Sequence, residues 1–265
     1  MSLALIAGRG RLPALLAEAA PEALVCALEG TAPAVPAALA FRIETLGSLM
    51  ADLRARGVTR VALAGAIERP AVDPAAVDAA TAPILPALLA AAAGGDDAAL
   101  RAVVRAFEAA GFEIAAPDEL RPDLLPPPGL LAGRLPPEGE ADAARAAAIL
   151  AALAPLDVGQ GCVVAGGLCL AVEALPGTDA MLAALPPRPD WPRGTGLLLK
   201  AAKAGQDRRV DLPAIGPETL QAAARAGLAG VAVEAGGVLV LDRAACAAAA
   251  DAAGLFLWVR PCAPS

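Results

Sequence analysis

The first half of the chain alternates short apolar runs with helix-like segments. The apolar runs, which predict strands, cover residues 3–8, 23–28, 41–46 and 60–67. The segments that predict helices cover residues 12–18, 48–56, 84–93 and 98–110. Short buried strands that alternate with helices are typical of a parallel sheet covered on both faces. The sequence therefore predicts an α/β fold for this half.

The second half has a different pattern and predicts a mixed α+β domain. Apolar runs surround a Gly-Gly dipeptide at residues 162–173 and again at residues 231–241, and each pair of runs predicts a β-hairpin. Further strands are predicted over residues 196–201 and 255–259, and helices over residues 141–154, 217–227 and 243–254. Proline and glycine are dense over residues 126–139, which excludes a regular helix or a central strand. We place the domain boundary there, which divides the chain into residues 1–130 and 131–265.

The composition excludes several kinds of chemistry. The 265 residues include no histidine, which rules out Ser-His-Asp hydrolysis, histidine-ligated zinc and histidine acid–base catalysis. A formal charge of −7 makes nucleic acid an unfavourable partner. Five cysteines without a C-x-x-C pair are typical of a reduced cytosolic protein, and no basic signal-peptide region opens the chain. We expect a cytoplasmic protein whose catalysis uses carboxylates, lysine, arginine, hydroxyl groups or an added metal.

The basic residues have an unusual distribution. Only two of the 21 are lysines, and these two, Lys200 and Lys203, stand three positions apart. A bias toward arginine explains the scarcity of lysine but not this spacing. Because lysine presents a compact point charge that arginine does not imitate, the pair indicates a functional site, with chance clustering as the alternative.

Residues 200–211 form the densest charged segment of the chain. They hold four cations, two aspartates and a glutamine, between an apolar strand and a predicted helix. Cations neutralise phosphate oxygens, while carboxylates hold Mg²⁺ or orient water, so the segment predicts phosphoryl chemistry. In an extended conformation, Asp207, Arg209 and Asp211 would face the same side. A solvated surface loop is the alternative.

Three weaker motifs are candidate ligand sites. The first motif is Gly8, Arg9 and Gly10, between the first strand and the first helix, where backbone N–H groups suit a phosphate. It departs from the dinucleotide-binding motif because Pro13 stands in place of the third glycine. The second motif is L-D-V-G-Q-G at residues 156–161, and the third runs from Glu173, at a strand end, through G-T-D at residues 177–179. The alternative for the first motif is a tight turn between strand and helix. The alternative for the second is a capped turn, and for the third a helix N-cap.

Taken in order, these motifs resemble the LpxI-type UDP-2,3-diacylglucosamine pyrophosphatases of lipid A biosynthesis. The motifs are I-A-G-x-G-x-L-P from Ile6, G-A-I-x-R-P from Gly65, G-D-D from Gly95, L-D-V-G-Q from Leu156, V-E-A-x-x-G-T-D-A-M from Val172 and K-x-x-K-x-x-Q-D-x-R-x-D-L-P-x-I-G from Lys200. The resemblance spans essentially the whole chain. It implies a Rossmann-like first domain, a second domain that carries the catalytic motif, and an active site between the two.

The resemblance also implies an activity. A Mg²⁺-dependent hydrolase, with Mn²⁺ as the other candidate ion, would cleave UDP-2,3-diacylglucosamine to UMP and 2,3-diacylglucosamine 1-phosphate (lipid X), with water attacking the phosphorus on the sugar side. We expect transient contact with the cytoplasmic surface of the inner membrane, and a second copy of the chain is a candidate partner. The resemblance implies Asp211 as the essential carboxylate, with Asp207 four positions before it. From the charge pattern we add Lys200, Lys203 and Arg209 to the catalytic residues, and we expect Asp179, Asp207 and Asp211 to be the metal ligands. The implied substrate-binding residues are Gly8, Arg9, Gly10, Leu12, Gly65, Arg69, Asp157, Gln160, Glu173, Gly177, Thr178, Asp179 and Gln206.

Two other functions remain open at this point. An NAD-dependent oxidoreductase could use the turn at Gly8 and Gly10, with Glu29 as the acidic partner of the ribose. A non-catalytic protein that binds a nucleotide sugar or a lipid would bind UDP-2,3-diacylglucosamine without releasing UMP.

Overall fold

In a computed structural model of the chain, the strands of the first half pair in parallel. The structure describes residues 2–67, 71–92, 96–185, 194–203 and 205–262. The strands are β1 (Ser2–Ala7), β2 (Leu24–Leu28), β3 (Leu39–Phe41), β4 (Val58–Ala64) and β5 (Glu113–Ile114). The helices are α1 (Leu12–Ala19), α2 (Leu46–Ala55), α3 (Leu85–Ala92), α4 (Asp96–Ala109) and α5 (Pro117–Leu120). The sheet order β3-β2-β1-β4-β5 matches five of the six strands of the Rossmann order 3-2-1-4-5-6, so the predicted α/β fold is confirmed.

Burial on both faces explains the unbroken apolar runs of this sheet. Ala4, Leu5, Ile6 and Ala7 of β1 are each at most 3% exposed, although successive side chains point to opposite faces. Helix α2 supplies part of the cover through Leu46, Leu49, Met50 and Leu53, which share one helical face. These α2 residues belong to the same hydrophobic core as Ala4 and Ile6.

The third predicted strand is misplaced. We expected a strand over residues 41–46, but β3 ends at Phe41, Ile43–Thr45 form a 3₁₀ turn and α2 begins at Leu46. The reason is the buried carboxylate of Glu44, which is 2% exposed. It accepts hydrogen bonds from Arg42 Nε and Nη2, both at 3.2 Å, and from the backbone N of Asp73 at 2.7 Å. These bonds hold the chain in a turn that an apolar run cannot reveal.

The Glu44 contacts predict a pH dependence of stability. The hydrogen bonds from Arg42 and the Asp73 backbone lower the pKa of Glu44 from 4.5 to about 2. Because the pKa is lowered on folding, the stabilisation is fully present above pH 4.5 and is lost as the pH falls toward 2. We expect Glu44→Gln to lower the free energy of unfolding at pH 7 by about 2 kcal/mol and to flatten its decline between pH 4.5 and 2. Urea unfolding at a series of pH values measures both effects, and an unchanged pH slope would contradict this account.

The second half forms a mixed sheet, as predicted. Its strands are β6 (Gly129–Ala132), β7 (Gly161–Ala165), β8 (Leu168–Val172), β9 (Leu197–Lys200), β10 (Ala214–Ile215), β11 (Gly230–Glu234), β12 (Leu239–Val240) and β13 (Phe256–Arg260). Its helices are α6 (Gly139–Leu153), α7 (Gly177–Ala183), α8 (Pro217–Arg225) and α9 (Arg243–Ala253). The main sheet has the order β6-β13-β11-β9-β7-β8, with parallel pairs on either side of β11 and antiparallel pairs elsewhere.

One of the two predicted hairpins is confirmed. Strands β7 and β8 pair in antiparallel register around Gly166 and Gly167, whose φ angles of +54° and +79° suit the tight turns of β-hairpins. The carboxylate of Asp142, 2% exposed, accepts hydrogen bonds from both glycine N–H groups at 3.0 and 2.7 Å. Helix α6, which carries Asp142, therefore fixes this turn.

The other predicted hairpin, over residues 231–241, is wrong. Strand β11 lies in the main sheet between β9 and β13, whereas β12 pairs in parallel with β10 in a separate two-stranded sheet. The Gly-Gly turn between β11 and β12 carries the chain from one sheet to the other. A turn signal is local and does not determine whether the strands that flank it pair with each other.

The chain divides into two units. The first comprises Met1–Pro122 together with Asp207–Asp211, and the second comprises Asp123–Gln206 together with Leu212–Ser265. The boundary predicted after residue 130 falls inside β6, which belongs to the sheet of the second unit. None of the helices in the described residues is long and apolar enough to span a bilayer.

Candidate functional site

A buried lysine stands at the carboxyl end of β9. The side chain of Lys200 is 8% exposed; its Nζ donates a hydrogen bond to Thr178 Oγ1 at 2.7 Å and lies 3.6 Å from Glu173 Oε2. Burial holds the pKa of Lys200 below its ordinary value, although the nearby carboxylates of Glu173 and Asp179 act in the opposite direction. The structure thus brings the motif that begins at Glu173 and the motif that begins at Lys200 together around one ammonium group.

Glu173 presents a buried carboxylate oxygen to this lysine. The side chain of Glu173 is 14% exposed, and among the described residues no hydrogen-bond partner reaches its Oε2. The Lys200 ammonium at 3.6 Å compensates the charge. Because a buried ion without its partner costs several kcal/mol, this contact offsets part of the cost of burying the two groups. A desolvated ammonium group interacts with an anionic ligand more strongly than a solvated one does.

A second set of contacts fixes the loop after β9. Lys203 Nζ donates to Asp157 Oδ1 at 2.5 Å. The side chain Oε1 of Gln206 accepts from the backbone N of Lys203 and from Gln160 Nε2, each at 2.8 Å. Asp157, Gln160 and Gln206, which the sequence analysis assigned to substrate, therefore hold this loop in place.

The alternative interpretation of this motif, a helix start, is confirmed in part. Thr178 and Asp179 lie in the first turn of α7, which begins at Gly177, but that turn has no side-chain cap. The hydroxyl of Thr178 is bonded to Lys200 instead, because the carboxyl end of β9 lies within its reach.

Asp207–Asp211 form a turn that belongs to the first unit. The backbone O of Asp207 accepts hydrogen bonds from the N of Val210 at 3.1 Å and from the N of Asp211 at 2.9 Å. Val210 packs against the hydrophobic core of the first unit. The extended conformation considered for this segment is therefore wrong, because these backbone bonds close it into one turn of helical type. Asp207 and Asp211 lie at the two ends of that turn.

Within this turn, Arg209 is held between two carboxylates. Its Nε donates to Asp207 Oδ1 at 2.9 Å, its Nη2 to Asp207 Oδ2 at 2.6 Å and its Nη1 to Glu108 Oε1 at 2.7 Å. The guanidinium lowers the pKa of Asp207, and the two carboxylates raise the pKa of Arg209. Glu108 was missed in the sequence analysis because it stands on α4, 101 positions from Arg209, where no local pattern links the two.

The predicted metal ligands belong to different units of the chain. Asp179 lies on α7 in the second unit, whereas Asp207 and Asp211 share the turn of the first. Within the described ranges no group of three or more cysteine, aspartate or glutamate side chains is placed to hold a metal ion. Mg²⁺ in phosphate chemistry typically takes one or two carboxylates plus phosphate oxygens and water. Asp211 fits that mode of binding, and Asp207 would fit it only by giving up a hydrogen bond from Arg209.

The glycine turn of the first unit lies where the sheet order reverses. Strand β1 is flanked by β2 and β4, and the backbone of Arg9 exchanges hydrogen bonds with that of Ala66 at 2.8 and 3.0 Å. A Cβ on Gly8 would stand 2.6 Å from Ala66 O, and one on Gly65 would stand 2.5 Å from Arg9 O. Glycine at both positions is therefore required for the loops after β1 and β4 to approach each other.

The remaining assigned residues are placed as follows. Gly10 follows Arg9 in this turn with φ +97°, Leu12 opens α1 and Gly177 opens α7. Arg69, assigned to substrate, lies outside the described residues, as do Pro70 and Gly95 of the sequence motifs.

Comparison with known proteins identifies the family of the chain. The model of the LpxI N-terminal domain matches residues 2–124, and the model of the LpxI C-terminal domain matches residues 127–258. The chain is 43% identical over 274 aligned positions to the UDP-2,3-diacylglucosamine pyrophosphatase LpxI of Caulobacter vibrioides, and the alignment covers 96% of each chain. With both domains matched and the resemblance found in the sequence confirmed, the chain belongs to the LpxI family.

Proposed function

We propose that this chain hydrolyses the pyrophosphate bond of UDP-2,3-diacylglucosamine, releasing UMP and 2,3-diacylglucosamine 1-phosphate in lipid A biosynthesis. The observation that carries the proposal is 43% identity, over 96% of the chain, to a protein named for hydrolysis of that substrate. The structure adds support, because the charged groups that such a reaction needs occur in the motifs that carry the resemblance.

Lys200 and Lys203 supply positive charge toward the diphosphate. Because the Lys200 ammonium is already desolvated and fixed by Thr178, it can stabilise charge that develops on phosphate oxygens with little reorganisation. Lys203 is positioned by Asp157 and by the Gln206 contact to its backbone. Arg209, which is bound by Asp207 and Glu108, acts by holding Asp207 and the turn in shape.

Asp211 is our choice for the essential carboxylate. It ends the turn of Asp207–Asp211, is half-buried, and is the aspartate of the R-x-D-L-P motif that carries the resemblance. The chain has no histidine, and a carboxylate is the side chain best suited to orient the attacking water and receive its proton. Attack is expected at the phosphorus on the sugar side.

Asp211 would hold Mg²⁺, or Mn²⁺ in its place. Asp207, whose two oxygens accept hydrogen bonds from Arg209, would join it by giving up one of those bonds. When bound, the ion supplies charge neutralisation at the phosphate oxygens. The two carboxylates match the small number of protein ligands that Mg²⁺ takes when phosphates complete its coordination.

Exposed leucines support contact with the acyl chains and with the cytoplasmic surface of the inner membrane. Leu156 is 70% exposed and precedes Asp157, and Leu175 is 94% exposed and stands two positions after Glu173. The substrate has a polar head and two fatty chains, and these two leucines, next to charged motifs in the sequence, are the side chains that we assign to contact with the fatty chains. We propose a peripheral association without an anchor.

A UMP-release assay tests the function. We expect the purified protein to convert UDP-2,3-diacylglucosamine to UMP and the diacyl sugar 1-phosphate, EDTA to stop the reaction and Mg²⁺ to restore it. Chromatography of the products with and without chelator measures both effects. Tight binding of the substrate without UMP release would contradict the proposal and favour the binding-protein alternative. A fluorescence change on adding NADH, with no hydrolysis, would favour the oxidoreductase.

A further inference from the structure

A cavity of about 380 Å³ opens at the carboxyl edge of the parallel sheet in the first unit. Its lining includes Leu28, Glu29 and Gly30 at the end of β2, and Arg42, Ile43 and Glu44 after β3. The volume lies in the range of small-molecule sites. None of the residues assigned to substrate from the sequence lines this cavity, and the site described above does not use it.

The position of this cavity in the sheet points to a nucleotide. Strand β2 pairs with β1 in parallel, so the carboxyl ends of both strands lie at one edge of the sheet, and the glycine turn of Gly8 and Gly10 leaves β1 at that edge. In sheets with this strand order, phosphates lie against the turn after the first strand. The ribose hydroxyls bind an acidic residue at the end of the second strand. Glu29 directly follows β2 and is exposed.

The two carboxylates that line the cavity have different surroundings. The carboxylate of Glu44 is buried and takes hydrogen bonds from Arg42 and from the backbone N of Asp73. The backbone N of Glu29 donates to Phe41 O at 2.8 Å, which fixes the residue against β3. The side chain of Glu29 is therefore the solvent-facing carboxylate of the lining, and its two oxygens can accept from two neighbouring hydroxyl groups.

We infer that this cavity binds the ribose of a pyrimidine nucleotide, with the Glu29 carboxylate accepting hydrogen bonds from the 2′- and 3′-hydroxyl groups. The identity of the nucleotide rests on the proposed function, which makes UMP the portion of the substrate to be recognised. The location of the sugar rests only on the cavity, the strand order and Glu29.

Equilibrium binding of UMP and 2′-deoxy-UMP by titration calorimetry tests this inference. We expect the unaltered protein to bind UMP about 10-fold more tightly than 2′-deoxy-UMP, because the deoxynucleotide lacks the 2′-hydroxyl group that donates a charge-assisted hydrogen bond to Glu29. Glu29→Ala should weaken UMP binding by about 10-fold or more and bring the ratio of the two dissociation constants close to one. Glu22→Ala is the matched control, since Glu22 is an exposed glutamate just before β2, at the other end of the strand, and should leave both constants unchanged.

The possible results separate the cavity from the reaction. Equal affinity for the two nucleotides, no measurable binding of UMP, or an unchanged ratio in Glu29→Ala would each overturn the inference. UMP release is measured on the same preparations. Hydrolysis without a preference for the ribose would refute the Glu29 site and leave the proposed function standing. A ribose preference that Glu29→Ala abolishes, without hydrolysis, would support the site and refute the proposed function.

Discussion

Replacing Asp211 with alanine is expected to abolish turnover while the fold and substrate binding persist. The proposed reaction has no histidine to act as a base, so loss of this carboxylate removes the group that orients water and helps to hold the divalent ion. We expect UMP release to fall on the order of 10³-fold or more. Asp211→Asn, which preserves the shape of the side chain, should be almost as inactive, because an amide cannot accept the proton from water.

The matched control for Asp211 is Asp251→Ala. Asp251 is an exposed aspartate on α9, where alanine is a good helix former, so activity and melting temperature should remain as in the unaltered protein. Circular dichroism verifies the fold of each variant, and binding of UDP-2,3-diacylglucosamine is measured separately. Normal UMP release by a folded Asp211→Ala protein in Mg²⁺ would remove Asp211 from the mechanism.

Replacing Lys200 with methionine should impair both activity and stability. Methionine fills a similar volume, but it leaves the buried carboxylate of Glu173 without its cation. Loss of one partner of a buried ion pair costs about 3 kcal/mol, so the melting temperature should fall. UMP release should fall on the order of 10²–10³-fold, the cost of losing one preorganised group that stabilises transition-state charge.

A second substitution separates these two effects. Glu173→Gln in the Lys200→Met background removes the uncompensated charge, so the melting temperature should recover while activity stays low. Lys203→Met is the comparison at the other lysine; because Asp157 is 54% exposed, the lost stability should stay below about 1 kcal/mol. Recovery of activity together with stability in the double variant would show that Lys200 has only a structural role.

Much of the fold could be predicted from the sequence because its signals are local. The unbroken apolar runs of β1 and β4 required burial on both faces, and the glycines after helices marked their ends. The errors arose where the chain depends on distant partners. Glu44 is held in its turn by Asp73, and β12 pairs with β10 instead of the strand before it. No window of neighbouring residues contains those partners.

In the candidate site, too, the sequence identified residues but not their distant partners. Sequence motifs identified Lys200, Glu173 and Thr178, and the structure brings these three together. Their spacing could not reveal that Gln206 bonds to Gln160, or that Arg209 is held by Asp207 and Glu108. Charge patterns identify residues suited to phosphate chemistry, but only the folded chain determines which charges neutralise one another.

Hydrolysis of UDP-2,3-diacylglucosamine in ¹⁸O-labelled water tests the central claim most directly. Mass spectrometry of the products from the unaltered protein in Mg²⁺ should show UMP without label and the diacyl sugar 1-phosphate with one ¹⁸O atom in its phosphate. The Asp211→Ala protein, assayed in parallel, should leave the substrate intact. Intact substrate after incubation with the unaltered, folded protein in Mg²⁺ would contradict the account.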